Sequence, residues 1–178
     1  MPRKTEFPIP TRADECDFLR LVYFAPALDP LAACVSRAYR DLSRTLHGVV
    51  RLPDSFELRA RASAQVHSAL AVLVTSDSSN QAIFDAWHRD SCERLCTTYT
   101  ESGFPAFCVG QAQKWLNMAF KYAHVFGEEC LPGFERLYGL GHVPLDRIML
   151  EKLGAYGAPR LSKPWSRIRD YQEYMHFQ

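Results

Sequence analysis

Hydrophobic side chains recur along this chain at intervals of three and four residues, the spacing that places them on one face of an α-helix. No segment shows the strict alternation of apolar and polar residues that is typical of a half-buried strand. Capping residues, prolines and glycines mark where helices begin and end. Together they predict seven or eight helical segments, at about 11–26, 29–48, 54–74, 81–100, 107–126, 134–138, 144–154 and 166–177.

The domain organisation follows from this pattern. Residues 1–10 carry three prolines, and we expect them to form an extended N-terminal arm. No internal repeat, low-complexity tract or long linker divides residues 11–178, and a chain of 178 residues can bury most of its apolar surface in one core. We therefore predict an all-α protein, with a single compact multi-helix domain at residues 11–178.

Composition restricts the class of protein. Hydrophobic residues at 47% and charged residues at 23% are ordinary values for a globular domain. The most apolar stretch, residues 68–75, is too short to cross a bilayer, and the basic N-terminus is not followed by the apolar core of a signal peptide. We expect a cytoplasmic protein without membrane contact. In that reducing compartment its six cysteines should be free thiols, mostly buried.

The segment 107–126 is the most informative part of the chain. Apolar residues cover well over half of the circumference of this helix, so we expect it to be largely buried. Lys114, Asn117, Lys121 and His124 form one narrow polar stripe along it. Two lysines two turns apart on a buried helix should disfavour each other's protonation, and an unprotonated lysine is a usable nucleophile. A stripe that faces water would have the same sequence, so both interpretations stay open.

A second motif runs from His142 through Val-Pro-Leu to Asp146, followed by a short helix and Leu-Gly154. An acidic residue at a helix start commonly caps free backbone N–H groups. The pattern Pro-x-Asp, short helix, Leu-Gly also resembles the segment that carries the essential aspartate in helix–hairpin–helix DNA glycosylases. Upstream, residues 104–110 followed by Lys114 resemble a stretched version of the hairpin and catalytic lysine of that superfamily.

Within the superfamily, the long separation of Lys114 and Asp146, with a second lysine seven residues after the first, is similar to the archaeal-type 8-oxoguanine DNA glycosylase/lyase. The resemblance covers about residues 104–154 and implies Lys114 as Schiff-base nucleophile, Lys121 as auxiliary lysine and Asp146 as catalytic carboxylate. It implies DNA as partner, removal of a damaged or modified base as function, and no metal or organic cofactor. The hairpin departs from the pattern, since it lacks a second glycine and Gly110 lies too far from Lys114.

Charge and aromatic residues suggest how DNA would bind. Residues 134–169 hold seven Lys/Arg against three Asp/Glu, although the whole chain carries a net charge of only +1. Such a stretch is a candidate surface for phosphates, and equally a solvated basic surface. Trp165 and Trp115 are candidates for stacking on a flipped base, although we expect Trp115 to lie in the core. The other candidate binding residues are Asn117, His142, Arg147, Arg167 and Arg169.

A zinc site is a competing possibility. His88, Cys92 and Cys96 fall on one face of the fourth helix and offer three potential ligands. No closely spaced fourth ligand follows, so we expect these cysteines to pack as small apolar groups and to hold no metal.

Two other functions stay open. Arg40 or Arg44 together with His47 resembles the Arg–His pair of helical HEPN ribonucleases. The alternative to an enzyme is a non-catalytic helical module that binds nucleic acid or protein in regulation or defence.

Overall fold

The computed structural model describes residues 9–24, 29–76 and 80–178, and more than half of these residues are helical, with no strand among them. The predicted all-α fold is confirmed. No helix in the described ranges is both long and apolar enough to cross a membrane. The α-helices are α1 (Arg12–Tyr23), α2 (Pro30–Ser43), α3 (Ser55–Thr75), α4 (Gln81–Glu101), α5 (Val109–Phe126), α6 (Arg147–Gly154) and α7 (Tyr171–Met175). Short 3₁₀-helices lie at Val49–Arg51, Glu135–Leu140 and Trp165–Arg167.

Helix α5 is the centre of the core. Helices α2, α3, α4 and α7 and the 3₁₀-helices at 135–140 and 165–167 all pack against it. Every residue from Val109 to Phe120 is buried, as the apolar pattern predicts. Trp115 is fully buried, and its indole N–H donates to the Val35 carbonyl at 3.0 Å. Trp115 is therefore a core residue.

Several helix starts form at the capping residues that the sequence predicts. Thr11 and Asp14 make a reciprocal capping box at α1. Asp29 accepts from two backbone N–H groups at the start of α2, where Pro30 is the first helical residue. These contacts are local, which is why they can be read from the sequence.

Other predicted bounds are wrong. Helix α2 ends at Ser43 rather than near 48, and Gly48 adopts a left-handed φ of 89° before the 3₁₀-helix at 49–51. Helix α6 begins after Asp146 rather than at Pro144, because Asp146 is its cap. The segment predicted as one helix at 166–177 divides into the 3₁₀-helix at 165–167 and the short α7. The short helix predicted at about 134–138 is present as the 3₁₀-helix at 135–140. Most of the predicted N-terminal arm, residues 1–8, lies outside the described residues.

Helix α1 is attached to the C-terminal end of α5. The guanidinium of Arg12 donates to the carbonyls of Val125 and Phe126 at 3.5 and 3.4 Å, and a disulfide joins Cys16 to Cys130. The prediction that all six cysteines are free is wrong for this pair, which the contact between α1 and the end of α5 brings together across 114 residues. The remaining thiols, Cys34, Cys92, Cys96 and Cys108, are free.

Candidate active site

Lys114 and Asp146 meet in space. Lys114 lies on the second turn of α5, and its Nζ donates to Asp146 Oδ2 at 2.5 Å. The lysine side chain is 5% exposed and the aspartate side chain 26%. The other carboxylate oxygen, Oδ1, accepts from the backbone N–H of Met149 at 2.8 Å and thereby caps α6. The two residues that the resemblance singles out therefore form a partly buried pair.

The environment of Asp146 favours its charged form. Burial opposes ionisation of Asp146, but the hydrogen bonds from Lys114 and from the Met149 N–H outweigh it and hold the pKa of Asp146 below its ordinary value. The contact is thus a charge-assisted hydrogen bond between ammonium and carboxylate. Lys121, expected to assist Lys114, is exposed two turns further along α5. No hydrogen bond or ion pair joins it to the pair among the contacts of the described residues.

Gln113, which sequence reasoning missed, holds the segment that carries Asp146. Its side chain is fully buried. Its Oε1 accepts from the backbone N–H of Leu145 at 3.1 Å, while its Nε2 donates to the carbonyl of Leu145 at 3.0 Å and to that of Gly110 at 2.8 Å. Both backbone polar groups of the residue before Asp146 are therefore bound to one side chain.

A buried polar cluster lies beside Gln113. Asn117 Nδ2 donates to Gln113 Oε1 at 3.2 Å and to the Tyr174 hydroxyl at 2.9 Å. That hydroxyl also lies 2.9 Å from His142 Nδ1, and His142 Nε2 lies 2.9 Å from Asp85 Oδ1. Burial lowers the pKa of His142 in spite of its contact with Asp85, so at neutral pH the neutral ring donates to Asp85 and accepts from Tyr174. Asn117 and His142 are thus bound inside the protein rather than presented at its surface.

The cluster continues to His88, which is fully buried. Its Nδ1 lies 2.7 Å from the Tyr171 hydroxyl, and its ring stacks on Tyr174. Cys92 Sγ is 3.8 Å from His88 Nδ1, and Cys96 is half-buried. Within the described ranges, no three His, Cys, Asp or Glu side chains come together in a way that could hold a metal ion.

A cavity of about 660 Å³ opens between α6 and residues 158–165. Arg147, the residue after Asp146, lines this cavity, but neither Lys114 nor Asp146 does. Trp165 contributes an aromatic wall. The other walls are the apolar Leu150, Pro159, Leu161 and Pro164, the cations Arg147, Arg160 and Lys163 and the acid Glu151. Arg147 pairs with Glu151 at 3.4 Å and Lys163 pairs with Glu173 at 2.7 Å, so two of the three cations already have an acidic partner. An aromatic ring, apolar walls and more cations than acids are compatible with a flat ligand that carries negative charge.

Gly110 brings the C-terminal segment against α5, one turn before Lys114. Its backbone N–H donates to the Ile168 carbonyl at 2.9 Å, and a Cβ at this position would lie 2.0 Å from the Trp165 carbonyl oxygen. The family resemblance treats Gly110 as part of a hairpin before Lys114. In this structure Gly110 is buried in the first turn of α5, within the helix predicted at 107–126, and only a glycine at this position allows residues 165–168 to pack so closely.

The remaining candidates are at the surface. Arg147, Arg167 and Arg169 are exposed, and both terminal nitrogens of Arg169 donate to the Pro105 carbonyl at 3.4 Å. The residues of the ribonuclease hypothesis, Arg40, Arg44 and His47, are also exposed. Among the contacts of the described residues, no hydrogen bond or ion pair links His47 to either arginine.

Comparison of the chain with protein-family models, with curated proteins and with solved structures found no match. The contacts of Lys114 and Asp146 are therefore the basis for assigning a function.

Proposed function

We propose that this protein is a DNA glycosylase/AP lyase that removes a damaged or modified base through a Schiff base on Lys114. The observation that carries the proposal is the 2.5 Å contact between Lys114 Nζ and Asp146 Oδ2, made by residues from two separate segments. A nucleophilic amine beside a carboxylate is the pair that attack on a deoxyribose carbon requires.

The reaction starts when the Lys114 ammonium gives one proton to a solvent water molecule. The free amine attacks C1′ of the deoxyribose, the bond from C1′ to the base breaks, and the electron pair leaves on the base, which takes up a proton. Asp146 stabilises the positive charge that develops on the sugar. Opening of the sugar ring then gives an imine between Lys114 and C1′. Loss of a C2′ proton expels the 3′ phosphate by β-elimination, and water releases Lys114.

The resting ion pair sets one requirement on this mechanism. The Lys114 amine is bound to a carboxylate whose pKa is lowered, so the incoming sugar must separate the two groups before attack. Asp146 is the more accessible partner at 26% exposed, and it directly precedes Arg147, which lines the α6 cavity. We assign base stacking to Trp165 and phosphate contacts to Arg147, Arg160 and Lys163.

Borohydride trapping tests the proposal directly. Wild-type protein is incubated with duplexes that carry an abasic site or a damaged base, the imine is reduced, and the cross-linked peptide is identified by mass spectrometry. We expect base release, strand cleavage and a cross-link on Lys114, all of which are lost in Lys114→Gln. A cross-link on another lysine, or trapping that persists in Lys114→Gln, contradicts the assignment.

A second function is favoured by one observation. The Lys114 side chain is 5% exposed and already bound, as a lysine with a purely structural role would be. This favours a non-catalytic helical module that binds nucleic acid or protein. Wild-type protein that binds duplexes yet releases no base from any of them is the result that selects this module.

A further inference from the structure

Gln113 has an unusually complete set of partners for a fully buried amide. Its Oε1 accepts from Leu145 N–H and from Asn117 Nδ2, and its Nε2 donates to the carbonyls of Leu145 and Gly110. An amide group has two donor hydrogens and two acceptor lone pairs, so all four positions are occupied. Exchange of the oxygen and nitrogen would break every one of these contacts, and the side chain is therefore fixed in one orientation.

The consequence for Asp146 is geometric. Leu145 is buried, and its N–H and carbonyl are both held by Gln113, which is itself the neighbour of Lys114 on α5. Helix α5 thus carries Lys114 and, through the hydrogen bonds of Gln113, also holds the backbone of the residue that precedes Asp146. Two consecutive residues of α5 therefore fix the distance from Lys114 Nζ to Asp146 Oδ2. Lys114 carries the amine, and Gln113 holds the segment that carries the carboxylate.

We propose that Gln113 is a positioning residue, which holds Asp146 against Lys114 through the backbone of Leu145. This inference rests on the proposed function for its catalytic consequence, but the geometric part can be tested without any activity. Small displacements of a catalytic group by about 1 Å are enough to cost about 100-fold in rate.

The test compares Gln113→Leu with Gln111→Leu. Gln111 is a matched control, since it is also buried on α5 and its amide accepts from Cys108 N–H and donates to the Thr45 carbonyl, without touching Leu145. Two measurements are made on each variant by nuclear magnetic resonance, namely the pKa of the Asp146 carboxyl and the hydrogen exchange of the Leu145 amide. Base release is then measured as kcat and KM.

In Gln113→Leu we expect the Leu145 amide to exchange faster and the pKa of Asp146 to rise toward its ordinary value, because the contact with Lys114 loosens. We expect kcat to fall by about 100-fold while KM changes less than about twofold, the signature of lost transition-state geometry. Gln111→Leu should alter none of these quantities by a comparable amount. If Gln113→Leu does not fold, Gln113→Asn, whose amide is one methylene too short to span the same partners, replaces it.

An unchanged Asp146 pKa and unchanged kcat in the Gln113 variant overturn the inference, and so do equal effects of the two glutamine variants. Wild-type protein without any base release overturns the proposed function instead. In that case the Asp146 titration and the Leu145 exchange still decide whether Gln113 positions the pair.

Discussion

Lys114 is joined to only one of the two carboxylate oxygens of Asp146. Oδ2 accepts from Lys114 Nζ at 2.5 Å, while Oδ1 accepts from Met149 N–H at 2.8 Å. An asparagine at position 146 could keep the second contact, because Asn is as good a helix cap as Asp. It could not supply a negative charge to Lys114. The cap and the ion pair are therefore separable by mutation.

A double-mutant cycle on Lys114→Gln and Asp146→Asn measures the pair. Asp146→Asn should lower the free energy of unfolding by about 3 kcal/mol, because it leaves the ammonium buried without a counter-charge. The double variant should recover a large part of that loss, since neither charge remains. Urea unfolding of all four proteins gives the coupling energy. Additive effects, with coupling below about 0.5 kcal/mol, would show that the ion pair contributes nothing.

The same variants separate structure from catalysis. Asp146→Asn should slow base release by orders of magnitude in protein that is still folded, because transition-state charge goes unstabilised. A variant that is destabilised as expected but releases base at the wild-type rate would leave Asp146 with a structural role only.

The polar stripe on α5 illustrates what the sequence can and cannot predict. Hydrophobic period and capping residues predict the helix and its burial, because both depend on local residue types. They could not show that the stripe divides, with Lys114 and Asn117 covered by other segments and Lys121 left exposed. That difference comes from where residues 142–146 and Tyr174 pack, which is a tertiary property.

Gln113 and Tyr174 were missed for the same reason. A glutamine within an apolar helix has no motif, and its partner Leu145 is 32 residues away. Helix α7 has five residues and begins at a local cap, since Asp170 accepts from the Gln172 N–H at 2.9 Å. Tyr171 and Tyr174 also contact the buried histidines, and these tertiary contacts cannot be read from the sequence of the helix. The pairing of Lys114 with Asp146 was implied by a family resemblance rather than by any periodicity.

Gly110→Ala should disturb the site without changing any polar group. The added methyl would lie 2.0 Å from the Trp165 carbonyl oxygen, so residues 165–168 must move away from α5. We expect a loss of about 1–3 kcal/mol in the free energy of unfolding and weaker DNA binding through the displaced Trp165. Gly139→Ala, where a Cβ meets nothing within 4 Å, is the control and should have little effect. Equal stability of the two variants contradicts the close approach.

Stability should fall as the pH is lowered from 7 to 5. Burial holds the pKa of His88 far below its ordinary value near 6.5, and burial also lowers the pKa of His142. Between pH 7 and pH 5 the histidines of the unfolded chain bind protons that the folded protein does not bind. The stability that these neutral histidines contribute is therefore fully present above pH 6.5 and is lost progressively below it. Each histidine that stays neutral contributes a slope of about 1.4 kcal/mol per pH unit.

Urea unfolding at several pH values measures this slope. His88→Gln should reduce this slope by about 1.4 kcal/mol per pH unit, the contribution of one histidine, whatever the variant does to stability at pH 7. The control is His47→Gln, which changes an exposed ring and should keep the wild-type slope. The lowered pKa of Asp146 does not interfere, because its contribution is lost only as the pH falls below about 3.8. A wild-type slope in His88→Gln would show that the buried ring is not the titrating group.

The last prediction concerns the basic surface. Arg167 and Arg169 are exposed within the stretch that holds seven cations against three acids. Replacing both by glutamate should weaken binding to duplexes of any sequence, because contacts to phosphate carry no base information. For every phosphate that the variant no longer neutralises, the slope of log affinity against log salt concentration should also decrease by about 0.9. Fluorescence anisotropy across a salt series measures both quantities.

Charge alone must be distinguished from a specific surface. Arg44→Glu with Arg51→Glu makes the same change in net charge at two other exposed positions, outside residues 134–169. If DNA lies along the surface near Trp165, this control variant should lower the affinity for DNA only slightly, through the long-range electrostatic field. It should keep the wild-type dependence of affinity on salt, because DNA binding still releases the same counterions. Equal decreases in affinity for the two double variants would mean that net charge rather than this surface governs binding. An unaltered affinity in the Arg167/Arg169 variant would show that these two residues do not contact DNA. It would also contradict the part of the proposed function that places DNA beside the Lys114–Asp146 pair.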